Sequence, residues 1–88
     1  MLTKDTAKKL YQNDFPIPNT KEQGVLIDGC YYPSTNELIE EVCQHTTHLS
    51  MHRNNSSHEW NVGDAQQQLH GSNLNELLAQ LWLIVVKK

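Results

Sequence analysis

The segment from Ser72 to Val86 limits the possible folds more than any other part of this chain. After the polar opening Ser72-Asn73-Leu74-Asn75-Glu76, its side chains are apolar on nearly every side of a helix. Such a helix has to be enclosed by other elements or by a second copy of the protein. Asn73 is expected to cap it, with Glu76 at the reciprocal position of a capping box in which Asn replaces Ser or Thr, and Lys87 and Lys88 to offset the dipole at the far end. The apolar run falls well short of the roughly 20 residues that cross a bilayer, and it contains Gln80. It is expected to be a core helix. Leu77, Leu78, Leu81 and Val85 are assigned to that core, which leaves Ala79, Trp82 and Val86 on another side. Two arrangements are open for them: cover within the monomer, or an interface with a partner or with a second copy in a symmetric homodimer.

Upstream, Ala7, Leu10 and Tyr11 recur at helical spacing behind Thr3, with Asp5 in the first turn, and predict a short and mostly solvated helix. Phe15-Pro16-Ile17-Pro18 forces extended backbone, with Phe15 and Ile17 as its docking points. Asp28-Gly29 between two branched and aromatic runs, Val25-Leu26-Ile27 and Cys30-Tyr31-Tyr32, predicts a tight hairpin in which Val25 and Ile27 share a face. Pro33 ends its second strand. Ser34-Thr35-Asn36-Glu37 is a capping box for a helix whose apolar stripe is Leu38, Ile39, Val42 and Cys43. From Thr46 to Arg53 the side chains alternate, predicting a half-buried strand with Leu49 and Met51 inward. Asn54-Asn55-Ser56-Ser57 turns the chain into a partner strand with Trp60 and Val62 inward. Gly63 to Gln68 is polar and reads as a loop or a frayed extension.

The expected fold is therefore α+β in the order α-β-β-α-β-β-α: two antiparallel hairpins forming one sheet, packed against two capped helices, with a short N-terminal helix. Residues 1–23 would be that helix and the proline-containing arm, and 24–88 a single α+β domain. At 88 residues, the chain buries only about 60–65% of its unfolded surface, so stability should be modest and a deep cavity is not expected.

Three stretches resemble a family of small uncharacterised proteins encoded by bacteriophages and prophages. They are Leu10-Tyr11 with Asp14-Phe15-Pro16-Ile17-Pro18, the span from Gly29 through Ile39, and Gly71 through Leu83 with its closing Ala79-Gln80-Leu81-Trp82-Leu83. They are distributed between residues 10 and 83, and each is a signature of caps, turns and core positions. The resemblance implies no activity and transfers no functional residues. The chain departs from the family's Thr-Pro-Glu-Glu helix start with Asn73-Leu74-Asn75-Glu76, and its Ile84-Val85-Val86 tail is more apolar.

For chemistry, the histidines are the one suggestive feature. Of the five, His45, His48, His52 and His58 fall close together with Cys43. As metal candidates they lack the paired spacings of zinc modules, and His48 and His52 stand roughly 13 Å apart along a strand unless a cross-strand residue such as Glu59 or Asn61 completes a site. Solvated histidines on an exposed sheet face are the simpler reading. Cys43 lies on the predicted apolar stripe, where a thiol is an inert core atom, and no catalytic constellation is legible. Ten acidic residues against seven basic give a net charge of −3, which disfavours binding nucleic acid by phosphate neutralisation. Without a signal-peptide pattern a cytoplasmic location with reduced cysteines is expected. The expectation for function is a non-enzymatic phage or prophage accessory protein without cofactor, acting through protein contacts and possible homodimerisation. A metal-binding module is the alternative, and nucleic-acid binding through the histidine-rich strand with Arg53 the weaker one.

Overall fold

Asp28 and Gly29 both take positive φ, 51° and 79°, the pair of torsions that a two-residue hairpin turn needs to follow the twist of its strands. They close strands β1 (Val25–Ile27) and β2 (Cys30–Tyr32), with Ile27 opposite Cys30 and Val25 opposite Tyr32. The computed structural model describes residues 2–16 and 24–86. The remaining elements are α1 (Lys4–Gln12), α2 (Thr35–His45), β3 (Ser50–Asn54), β4 (Glu59–Gly63), β5 (Gln68–Gly71) and α3 (Leu74–Val85). Ile17, proposed as a docking point, and Lys87 and Lys88, proposed to offset the dipole, lie outside the described residues.

The α+β class is observed, but the single sheet is not. Among the described residues, five strands form two antiparallel sheets, β1-β2 and β3-β4-β5. The fifth strand, Gln68–Gly71, is given no element by the sequence pattern and shares only Gln68 with the Gly63–Gln68 segment expected to be a loop or frayed extension, most of which is indeed a turn. Asp64 organises a tight turn there: its Oδ1 accepts from the Gln66 and Gln67 amides at 2.9 and 3.0 Å, and its own amide donates to the Gln67 carbonyl at 3.0 Å. The chain thus reverses, and Val62 pairs with Leu69 and Asn61 with His70. Polar side chains at Gln66, Gln67 and Gln68 hide this strand, because only Leu69 marks its inner face. Gly63 is needed at the entry, since an added Cβ would collide with the Gln67 carbonyl oxygen.

Helix α3 lies over β4 and β5 and against α2, and α1 packs on α3 and β2. The contact with the three-stranded sheet is made by Val62, which is fully buried, and by Trp60 and Leu69, which are partly buried against the same cluster. Among the described residues, no helix covers β3 in the same way, and all five of its residues are exposed. The half-buried strand expected there is corrected by this offset: Met51 shares a row with Val62 but overhangs the helix layer and stays 41% exposed.

The first helix ends in a Schellman arrangement. Asp14 takes a left-handed φ of 62°, the Phe15 amide donates to the Leu10 carbonyl at 3.0 Å, and the Asp14 amide donates to the Tyr11 carbonyl at 3.2 Å. These bonds close the end of the helix, and Phe15 is delivered into the core beside Leu10. The helix is mostly solvated, as its composition predicts, with only Thr6, Ala7 and Leu10 buried; Tyr11, assigned to the apolar stripe, is exposed.

Candidate contact surfaces

Of the three residues proposed as an interface, two lie inside the protein and the third at its edge. Trp82 is 1% exposed and Ala79 0%, while Val86 is half-buried at the edge of the core. The monomer itself encloses the indole. Phe15 meets it edge-on at a centroid distance of 4.9 Å, and His45, from the last turn of α2, at 6.3 Å. Trp82 Nε1 is buried with no hydrogen-bond partner among the described residues, so its polar edge is carried as a cost by an otherwise apolar site.

Glu76 departs from the expected capping box. Asn73 does cap α3, its Oδ1 accepting from the Glu76 amide at 3.3 Å. The Glu76 carboxylate, however, reaches the start of a different helix. It accepts from the Thr3 amide, and from Thr6 Oγ1 at 2.5 Å. Burial alone would raise the carboxyl pKa, but the hydrogen bonds from Thr6 and Thr3 outweigh it and hold it below the ordinary 4.5. One acidic side chain thus helps cap α1 while belonging to α3. No local sequence pattern could have revealed it, because the two ends lie some seventy residues apart.

The second carboxylate cluster does follow its motif. Ser34 Oγ accepts from the Glu37 amide at 3.3 Å and Glu37 Oε1 accepts from the Ser34 amide at 3.4 Å. Tyr31 adds its hydroxyl, donating to the same carboxylate at 2.6 and 2.7 Å. Burial, then the bond to Glu37 and its charge, push the Tyr31 phenol up to about 12. Beside it, Thr35 Oγ1 donates to Asn75 Oδ1 at 2.6 Å, joining the first turns of α2 and α3. Both carboxylates therefore hold helix ends in place.

The histidines are spread over the surface. His45 ends α2, His48 follows in the loop, His52 is central in β3, and His58 sits in the β3-β4 turn with a φ of 58°. Among the described residues, no three His, Cys, Asp or Glu side chains stand where one ion could bind them. Cross-strand register puts His52, Asn61 and His70 in one row on the sheet face away from α3; His70 was missed because its strand was. Cys43, expected in the core, is exposed, and with His45, His48 and Asp64 it lines an open groove of about 420 Å³ where the end of α2 meets the β4-β5 turn. Ile39 and Val42 complete the inner stripe of α2 without it.

Two surfaces remain that no other described element covers. On β1, Val25 and Leu26 are each 47% exposed and Ile27 is 37%, a run of three consecutive large apolar side chains. On β3, one edge is bonded to β4, and no described strand lies along the other. Arg53 of β3 extends over the Trp60 ring, with its guanidinium carbon 6.0 Å from the centroid.

No family model, curated protein or solved structure matches the chain. Among the described residues, no helix is long and apolar enough to cross a membrane.

Proposed function

We propose that this chain is a phage- or prophage-encoded accessory protein that works by contact with another protein and performs no catalysis of its own. The observation that carries this reading is the exposed β1 run of Val25, Leu26 and Ile27. A strand of branched side chains is ordinarily placed against a core, and exposing three in succession costs the folded chain burial that it would otherwise gain. A protein surface that covers them recovers that free energy. The patch is a small part of the roughly 800 Å² that each partner contributes to a standard interface, so on its own it fits a reversible contact with a partner better than a lasting dimer. The two best-held carboxylates, Glu37 and Glu76, are engaged in capping, which is a structural use of the groups that catalysis would otherwise employ.

The reading is tested by placing a photo-crosslinking side chain at position 26 in infected or lysogenic cells, with the same probe at exposed Glu40 as the control. A discrete adduct with one protein from position 26 alone is the expected result. Equal labelling from both positions, or no adduct from either, removes the reading. Sedimentation across a concentration series separates self-association from a foreign partner.

A further inference from the structure

The chain is acidic overall, yet from Val42 to His58 it contains no Asp or Glu, and this stretch holds its single arginine and four of its five histidines. The fold places the centre of that stretch on β3, an edge strand whose five residues are all exposed. Beyond the β1 contact, we propose that β3 is a second docking site, at which an acidic extended peptide from a partner protein adds as a further strand of the three-stranded sheet.

The backbone of an edge strand presents a row of amide and carbonyl groups to any extended chain that approaches it, and main-chain bonding of this kind supplies affinity while side chains supply selection. The side chains here select by position. Met51 and Arg53 share the face that carries Val62 and Trp60, whereas Ser50, His52 and Asn54 point to the opposite face. A peptide residue beside Met51 meets an apolar surface. Residues beside His52 and Arg53 meet a hydrogen-bonding ring and a fixed cation, on opposite faces. The complementary peptide therefore carries an apolar residue one or two places from a pair of adjacent carboxylates, with alternation on either side. Stacking on Trp60 helps keep the Arg53 guanidinium at the strand rather than free in solvent. The acidic groups nearest along the sheet are Glu59, paired with Asn54 at the far end of the strand, and Asp64, which is engaged in its own turn. Neither stands opposite Arg53 or His52 in the register. Charged residues also protect edge strands from indiscriminate pairing, and the experiment separates that role from recognition.

The probe is a fluorescein-labelled nine-residue peptide of alternating valine and threonine with two adjacent glutamates at its centre, titrated with the full-length protein and read by anisotropy. Saturable binding is expected, weakening as salt is raised. It should fall at least about fivefold in Arg53→Glu, whose thermal melting should match the parent because the residue lies on an uncovered strand. An analogue N-methylated at every residue keeps every side chain but loses its main-chain donors on both edges, and should not bind. A Leu26→Ser variant should bind the peptide as the parent does, so failure at β3 and failure of the β1 contact are read separately. The proposal is overturned by no binding at millimolar protein, by equal binding of the N-methylated analogue, or by an affinity unchanged in Arg53→Glu. It is overturned too if a single-stranded oligothymidylate binds in an Arg53-dependent way where the peptide does not.

Discussion

Trp82 shows how a single side chain is held by shape at some expense in polarity. Its ring is enclosed by Phe15 and His45 while the indole N–H has no partner among the described residues. Removing the ring empties the centre of a small core, so Trp82→Ala should cost about 3–5 kcal/mol. Trp82→Phe also removes the orphaned donor, which offsets part of the lost packing, and its cost should be about 1 kcal/mol or less. Urea unfolding of the two variants measures the difference. If Trp82→Phe were as damaging as Trp82→Ala, the nitrogen would have to be engaged in a bond. The sequence made the question legible, since an indole on an all-round apolar helix needs cover. It did not reveal the answer, because the covering ring of Phe15 arrives by way of a left-handed Asp14, a torsion that local propensity does not favour for this residue.

Capping accounts for most of what was legible among the elements. Ser34 and Glu37 form the expected box, Asn73 caps α3, and Asp28-Gly29 turns the first hairpin, because each motif is closed within a few residues and carries its own chemistry. The two elements that escaped depend on contacts distant in sequence or on weak patterning. β5 has one inward apolar residue and is defined by pairing with β4, and the Glu76 carboxylate is engaged by the Thr3 amide and the Thr6 hydroxyl at the start of α1. This tertiary cap has a pH signature. A carboxyl whose pKa is lower folded than unfolded contributes stability that is complete above its unfolded value and is lost as pH falls through the folded one. The protein should therefore lose stability below about pH 4.5, in part through Glu76. Glu76→Ala should cost about 1–2 kcal/mol at neutral pH, and its melting temperature should decline less steeply between pH 5 and 3. Parallel acid dependence in parent and variant would show that the carboxylate contributes nothing as a cap. Glu76→Gln, which keeps an acceptor oxygen, should fall between the two.

Across the whole molecule, α3 is the element on which the others converge: α2 beside it, α1 crossing it, and the three-stranded sheet beneath. The helix-and-sheet layering was legible because one surplus of apolar surface demanded it. The division into two sheets was not, because hairpins advertise their own turns but carry no mark of whether they join each other, and here α2 intervenes between them. The same limit applies to the contact surfaces. Exposure on β1 and β3 follows from which strands the helices leave uncovered, a property of assembly rather than of any short stretch of chain. The separation of the sheets has a consequence for how the molecule breathes. With no ladder shared between them, the β1-β2 ribbon can fray and re-zip without unlacing β3-β4-β5. In deuterium, the amides of 25–32 should exchange as one early group and those of β4 as a late one. A single common rate for both would mean that the helical spine, rather than the ladders, sets the cooperative unit.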